Sequence, residues 1–182
     1  MIPDYSNPRI TPSRSNLELK AFLDNEALAV RIALETLNAR DEGSQVQTDT
    51  YFAVPRGRLK LREVTGMGDH AALIYYERPD VEPVRVSRFE YVPVSNAVEI
   101  RRLLSLALSV RGTVTKRRHI LLWDNCRIHL DNVESLGAFI EFEVCSEGDE
   151  ADDERRMRIL RKAFQVTNVE TIGGSYSDML GL

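Results

Sequence analysis

The residues best suited to chemistry are two carboxylates near the C-terminal end of the chain, Glu141 and Glu143. They alternate with apolar residues such as Phe142, which is the pattern of a half-buried strand. On such a strand both carboxylates would share one face about 7 Å apart, because the rise is roughly 3.3 Å per residue. A solvated strand face explains an isolated pair equally well, so its meaning depends on the charges of the other strands.

Those other strands also carry charges on one face. Two further acids, Glu18 and Asp131, lie in alternating segments. The same-face bases are Lys20, Arg58, Lys60, Arg62, Arg78, Arg85, Lys116 and Arg118. Because the opposite faces are apolar and amphipathic helices are available to cover them, we expect the charged faces to point inward. An ordinary solvated sheet surface is the alternative that the pattern alone leaves open.

Hydrophobic periodicity predicts eight strands and three helices. The predicted strands are 15–22, 45–54, 58–64, 70–78, 84–94, 113–123, 127–133 and 136–144, and the predicted helices are 26–39, 97–110 and 149–164. The strands come largely as hairpins, which favours an antiparallel sheet, and eight such strands can close into a barrel. We therefore predict an α+β fold: an eight-stranded antiparallel β-barrel with a polar tunnel inside and helices packed outside.

The chain has 182 residues, of which 43% are hydrophobic and 29% charged, so it can bury the core of one domain. Residues 1–14 are interpreted as a flexible N-terminal leader and residues 15–182 as a single domain. No apolar run approaches the roughly 20 residues that a membrane-spanning helix needs, so no membrane association is expected. The two cysteines, Cys126 and Cys145, form no metal or disulfide pattern, which favours a cytoplasmic location.

The net charge of −4 is dominated by one acidic segment, residues 147–154. Outside that segment the acids and bases nearly balance, and no large basic patch of the kind that binds a nucleic-acid polymer is evident. The functional charges are therefore expected to be local, on the inner strand faces.

Charges inside a barrel are costly unless a ligand of opposite charge meets them. A set of Arg and Lys side chains suits a chain of phosphates, since Arg binds phosphate oxygens in bidentate fashion and Lys acts as a point charge. Carboxylates gathered at one end suit a hard divalent cation such as Mg²⁺ or Mn²⁺. This combination is typical of phosphoryl chemistry. The expected partner is thus a small molecule that contains a triphosphate, and homodimerisation is left open.

The order of these motifs resembles that of the CYTH superfamily, which joins class IV adenylyl cyclases and triphosphatases in the triphosphate-tunnel-metalloenzyme fold. The segment Asn16-Leu17-Glu18-Leu19-Lys20 is similar to the family's Glu-x-Glu-x-Lys strand, with Asn16 in place of the first Glu. Further segments that resemble the cyclase-like branch are 47–52, 57–63, 73–79, 116–118, 129–133, 136–143 and 175–178. The likeness therefore covers nearly the whole chain from Asn16 onward.

The resemblance implies roles for individual residues. It implies metal binding by Glu18, Glu141 and Glu143, with Asp131 assisting. The phosphate-binding residues that it implies, together with Arg85 from the same basic faces, are Lys20, Arg58, Lys60, Arg78, Arg85, Lys116 and Arg118. Glu18, Lys20 and Arg118 are the predicted catalytic residues. His129 shares the predicted inner face with Asp131, and the pattern favours a hydrogen-bonded structural histidine over a general base.

Three functions fit this interior. The favoured one is metal-dependent hydrolysis of an inorganic or organic triphosphate. The first alternative is a class IV-type adenylyl cyclase that converts ATP to cyclic AMP and pyrophosphate. The second is a non-catalytic protein that binds polyphosphate or nucleotide, which the uncharged Asn16 supports.

Overall fold

The computed structural model describes residues 14–77, 84–146, 148–167 and 171–182. Within these residues the chain forms eight strands and four α-helices. The strands are β1 (Arg14–Phe22), β2 (Arg40–Phe52), β3 (Arg58–Thr65), β4 (His70–Glu77), β5 (Val84–Val94), β6 (Val110–Trp123), β7 (Cys126–Val133) and β8 (Gly137–Cys145). The helices are α1 (Glu26–Arg31), α2 (Ala97–Ala107), α3 (Glu150–Ala163) and α4 (Tyr176–Met179).

The strands form one closed antiparallel barrel in the order β1-β5-β4-β3-β2-β6-β7-β8. Closure comes from β1, which pairs with β5 along one edge and with β8 along the other. The predicted eight-stranded antiparallel barrel is therefore confirmed. No helix among the described residues is long and apolar enough to cross a bilayer.

Alternation along each strand separates an apolar face from a charged one. On β1, Leu19 and Ala21 belong to an apolar cluster, whereas Glu18 and Lys20 line a cavity. Strand residues of that cluster include Leu121, Ile128, Phe142 and Val144, and its helix residues include Ala29, Ala33, Met157 and Leu160. Full burial of a large apolar side chain stabilises the fold by roughly 1.5–3 kcal/mol. This cluster packs α1 and α3 against the apolar faces of strands whose opposite faces carry the charges.

The first helix is shorter than predicted. The α-helix ends at Arg31, a π-helical turn continues it from Ile32 to Thr36, and β2 already begins at Arg40. The predicted strand start at residue 45 was wrong because β2 pairs with β6 from Arg40 onward, across a register shift between Asp41 and Gly43. Long-range pairing with β6 therefore overrides the local turn signal of residues 41–43.

The other predicted helices are confirmed with small changes at their ends. Helix α2 ends at Ala107 instead of 110, because β6 begins at Val110 and pairs there with Phe52. The C-terminal segment, in which no helix was predicted, contains α4. Ser175 and Asp178 form a reciprocal cap at its start. Of the predicted leader, residues 1–13 lie outside the described residues.

Candidate active site

The charged strand faces enclose a cavity of about 940 Å³. Its acidic, basic and histidine lining residues are Glu18, Lys20, Lys60, Arg62, Lys116, Arg118, Arg127, His129, Glu141 and Glu143. The prediction that these faces point inward is therefore confirmed. Several of the side chains are almost inaccessible to solvent, including Lys20 at 3% and Lys116 at 4% exposure. Since buried charges need partners, the contacts among these residues decide what the cavity can bind.

Strand register brings the acidic residues together. Across the β1–β8 pair, Glu18 lies opposite Glu143 and Lys20 lies opposite Glu141. Across the β7–β8 pair, His129 lies opposite Glu141. Three strands thus contribute to one end of the cavity.

Among the described residues, one group of three candidate metal ligands has its donor atoms within 4.8 Å of one another: His129, Glu141 and Glu143. Nδ1 of His129 is 3.6 Å from Oε1 of Glu143 and 4.0 Å from Oε2 of Glu141. These separations are too long for hydrogen bonds. Within the described part of the chain, this Nδ1 is buried and has no hydrogen-bond partner. The predicted hydrogen bond of His129 is therefore not made at Nδ1, and the structural role of this histidine stays a prediction.

Two arginines orient the carboxylates of this group. Arg118 donates to Oε2 of Glu141 at 2.6 Å, and Arg127 donates to Oε2 of Glu143 at 2.8 Å. Burial opposes ionisation of Glu141, but the positive charges of Lys20 and Arg118 outweigh it and hold the pKa of Glu141 well below its ordinary value. Burial, assisted by the charge of Arg118, lowers the pKa of His129 to about 4. At neutral pH the group therefore consists of two carboxylates and a neutral imidazole.

Asp131 lies at the centre of a cation network. Its two oxygens accept a bidentate pair of hydrogen bonds from Arg118, at 2.7 and 2.6 Å, and a third from Lys116 at 3.2 Å. The hydroxyl of Tyr176 donates a fourth at 2.8 Å. Although burial opposes ionisation, the charges of Arg118 and Lys116 hold the pKa of Asp131 well below its usual range. Asp131 does not line the cavity, and this geometry favours a positioning role over metal binding.

Asp49 forms a second such network, which sequence reasoning missed. It accepts hydrogen bonds from Lys60 at 2.8 Å and from Arg62 at 2.7 Å through both of its oxygens. Burial, followed by the charge of Arg62, lowers the pKa of Lys60 to about 7. The available signal was the alternation of Gln47, Asp49 and Tyr51 on one face of β2, which pairs with basic β3.

The C-terminal helix reaches the same cavity. The ring of Tyr176 lies 3.7 Å from Nζ of Lys20 and 5.0 Å from Nζ of Lys116, measured to the ring centroid. Contacts of this kind between a cation and an aromatic face are favourable. Tyr176 also packs against Phe139, with 5.1 Å between ring centroids. Tyr176 therefore joins cavity-lining lysines to an apolar neighbour.

The three other predicted phosphate-binding residues are Arg58, Arg78 and Arg85. Arg58 does not line the cavity but binds Asp178 on α4, with its Nη2 2.9 Å from Oδ2. Arg78 lies outside the described residues, and so does the side chain of Arg85, whose backbone pairs with Glu18. The structure brings Lys20, Lys60, Lys116 and Arg118 together around the cavity.

Comparison with known proteins gives a consistent result for family and fold. The CYTH domain family model matches residues 14–170. No curated protein is significantly similar to the chain in sequence.

Among solved structures, the PH1012 protein from Pyrococcus horikoshii OT3 is similar with a TM-score of 0.78 at 22% identity, covering 90% of this chain and 98% of that one. A candidate adenylate cyclase from Vibrio parahaemolyticus has a TM-score of 0.75 at 19% identity, covering 93% and 99%. HpAC1 from Hippeastrum, a candidate adenylyl cyclase with a dominant triphosphatase activity, has a TM-score of 0.59 at 13% identity, covering 91% and 93%. At sequence identities of 13–22%, these structural similarities show that the proteins share a fold.

Proposed function

The chain belongs to the CYTH domain family, and from this premise we propose that it is a metal-dependent enzyme that hydrolyses a triphosphate-containing substrate inside the barrel. One observation carries the proposal: a single cavity combines a set of buried cations with two carboxylates and an imidazole whose candidate ligand atoms lie within 4.8 Å of one another. Hydrolysis of a phosphoanhydride needs both parts, since charge develops on phosphate oxygens during the reaction. The triphosphatase activity of HpAC1, a distant structural relative, supports this choice.

The acidic group fits a divalent cation, Mg²⁺ or Mn²⁺. Glu141 and Glu143 each accept an arginine hydrogen bond through Oε2, which fixes the carboxylate. Oε1 of Glu143 lies beside Nδ1 of His129, whereas Oε1 of Glu141 lies 4.0 Å from Nζ of Lys20. Glu18 lies on the adjacent strand opposite Glu143 and is the third proposed ligand. When bound, the cation would supply Lewis-acid stabilisation of charge on the phosphate oxygens. Asp131, whose oxygens accept four hydrogen bonds, is proposed to position Arg118 and Lys116 instead.

The basic residues are proposed to bind the phosphate chain. Lys20, Lys60, Lys116 and Arg118 lie around the cavity, and two of them also lie beside the acidic group. Arg118 is hydrogen-bonded to Glu141, and Nζ of Lys20 is 4.0 Å from the same carboxylate. These two cations are therefore placed to neutralise charge on the phosphorus group nearest the metal, which is the proposed catalytic role of Lys20 and Arg118.

The helices have a supporting role in this proposal. Because α1 and α3 contribute to the apolar cluster formed by the opposite strand faces, we infer that they cover the outside of the barrel and leave its interior to the ligand. A single domain spanning residues 15–182, a homodimer, a cytoplasmic location and the lack of nucleic-acid partners stay predictions from the sequence.

A turnover assay tests the proposal. The protein is incubated with Mg²⁺ or Mn²⁺ and with inorganic triphosphate, ATP or thiamine triphosphate, and the products are identified. Release of orthophosphate supports the hydrolase, and Glu141→Gln and Lys116→Ala are expected to lower it at least tenfold. Glu134→Gln and Lys162→Ala change exposed residues and serve as matched controls. Full turnover by both active-site variants would overturn the assignment of the site.

One observation favours adenylyl cyclase as a second candidate. Phe89 and Tyr91 on β5 line the cavity beside Ile74 and Tyr76 on β4, with Phe89 opposite Tyr76 and Tyr91 opposite Ile74. Aromatic side chains of this kind can stack on a nucleobase. Formation of cyclic AMP with pyrophosphate in the same assay would select the cyclase. Tight triphosphate binding without any product would identify a non-catalytic binding protein.

A further inference from the structure

Among the described residues, two buried side-chain atoms lack a hydrogen-bond partner, Nδ1 of His129 and Oε1 of Gln47, and both residues line the cavity. Of the two, the nitrogen of His129 lies beside carboxylates. The side chain of His129 is only 4% exposed. Buried polar atoms without partners are rare in folded proteins, because each one costs the free energy of its lost hydration. Such an atom is expected when a ligand completes its bonding.

The surroundings of this nitrogen identify a cation as that ligand. Its neighbours are oxygens of Glu143 at 3.6 Å and Glu141 at 4.0 Å. A metal ion bonded to a carboxylate oxygen and an imidazole nitrogen at about 2.0–2.2 Å holds those two atoms roughly 3.0–3.5 Å apart. The observed separation from Glu143 is close to this range and exceeds hydrogen-bond length, so the two donors are spaced to share an ion.

Strand pairing maintains this spacing. His129 lies directly opposite Glu141 in the β7–β8 ladder, with Arg127 opposite Glu143 beside it. Because side chains on one face of adjacent strands stay within several ångströms of each other, the three donors converge without a flexible loop. Arg118 and Arg127 then hold the two carboxylates in place.

We propose that His129 is a direct ligand of the divalent cation through Nδ1, and that it makes the site prefer a transition-metal ion such as Mn²⁺ to Mg²⁺. Imidazole nitrogen binds first-row transition metals well, whereas Mg²⁺ strongly favours oxygen ligands. Asn16, a neutral side chain that lines the same cavity, adds no carboxylate to compensate. The inference rests on the metal site of the proposed function and specifies one of its ligands.

Pulsed electron paramagnetic resonance of the Mn²⁺-loaded protein tests the coordination without any substrate. A nitrogen bonded to Mn²⁺ produces a nuclear modulation that changes when histidine is labelled with ¹⁵N. The chain has three histidines, so His70→Gln and His119→Gln are the matched controls. We expect the histidine modulation in the wild type and in both controls, and its loss in His129→Gln, which has no nitrogen at the Nδ1 position.

Calorimetric titration with Mn²⁺ and Mg²⁺ provides the second readout. We expect the wild type to bind Mn²⁺ more tightly, and His129→Gln to lose roughly tenfold or more of its Mn²⁺ affinity, with little change for Mg²⁺. The labelled wild type keeps the test decisive if His129→Gln does not fold.

Binding of Mn²⁺ without a histidine modulation would overturn the inference while leaving the proposed metal site intact. A modulation that survives His129→Gln would overturn it as well. Failure of the wild type to bind either ion would overturn both the inference and the metal dependence of the proposed function.

Discussion

Replacement of Asp131 by asparagine separates a positioning role from metal binding. The substitution keeps the size of the side chain but removes the charge that Arg118 and Lys116 share. Arg118 retains Glu141 at 2.6 Å, whereas the hydrogen bond of Lys116 to a carboxylate is lost. The expected consequence is loss of stability, because buried cations are left with too little negative charge.

The size of the loss follows from the burial of the network. The side chains of Asp131, Lys116 and Arg118 are 0%, 4% and 5% exposed. Removing one partner of a buried ion pair typically costs about 3–5 kcal/mol, and the retained bond to Glu141 places Asp131→Asn near the lower end. With a dependence on urea of about 2 kcal/mol per molar, the midpoint of unfolding should fall by roughly 1.5 M. Tyr176→Phe removes one donor only and should cost about 1 kcal/mol.

The pH dependence of the free energy of unfolding is an independent test of this charge network. The pKa of Asp131 is lowered in the folded protein from its ordinary value of 3.8. Its contribution to stability is therefore complete above pH 3.8 and is lost as the pH falls from there toward the folded value. In that window one such group contributes a slope of about 1.4 kcal/mol per pH unit. Asp131→Asn should remove this contribution and make the acid limb of the stability curve shallower.

Urea unfolding from pH 2.5 to 7, with and without inorganic triphosphate, measures these effects. Triphosphate should stabilise Asp131→Asn more than the wild type, since Arg118 and Lys116 then lack their carboxylate, and Mn²⁺ affinity should fall less than in Glu143→Gln. Asp24→Asn, at an exposed acid, is the control and should lie within about 0.5 kcal/mol of the wild type. Unchanged stability combined with lost Mn²⁺ binding would refute the positioning role and restore Asp131 as a ligand.

Three further predictions follow from other contacts. Lys60, with a pKa of about 7, should take up nearly one proton when triphosphate binds at pH 8, but only a small fraction of a proton at pH 6. Calorimetry in buffers of different ionisation enthalpy measures this proton uptake, and Lys60→Met should abolish it. Asp178→Ala removes both the cap of α4 and the partner of Arg58, so amide hydrogen exchange at residues 179–182 should accelerate while β8 stays protected. If residues 179–182 exchange at the same rate in the variant and the wild type, the capping role is wrong. Phe89→Ala should weaken ATP binding roughly tenfold without affecting inorganic triphosphate, and equal losses for both ligands would exclude stacking.

The inner and outer faces of the strands could be predicted because side chains alternate with a period of two. Glu141, Lys116 and Lys60 lie on the inner face as their alternation indicated. Strand neighbours could not be predicted in the same way, since pairing depends on contacts far apart in the chain. The sequence did not show that β1 lies between β5 and β8, which is what places Glu18 opposite Glu143.

The same limitation explains why the sequence could not assign different roles to individual acids. Asp131 and Glu141 look alike in the sequence, because each is an acid on an alternating strand. The β6–β7 register places Asp131 directly opposite Arg118, whereas the β7–β8 register places Glu141 opposite His129. Asp49 was overlooked because its basic partners belong to β3, and only pairing brings Arg62 opposite it. The alternation of residues along a strand identifies the charged side chains that point inward. The register between paired strands determines which of these side chains already have a partner of opposite charge.

The number of donors that each inner carboxylate accepts distinguishes structure from function in this barrel. Asp49 and Asp131 accept bonds from two cations each, so a metal at either one would have to displace lysine and arginine at the cost of unpaired buried charge. Glu143 accepts a hydrogen bond from one arginine and has an oxygen beside the unpartnered Nδ1 of His129, so an ion there would satisfy both groups without displacing any cation. A triphosphate whose outer oxygens meet that ion can then reach Lys20 and Arg118, which are already beside Glu141. In the proposed function, the two aspartates therefore hold the cations in place, and Glu143 with His129 leaves a position at which metal and phosphate would meet.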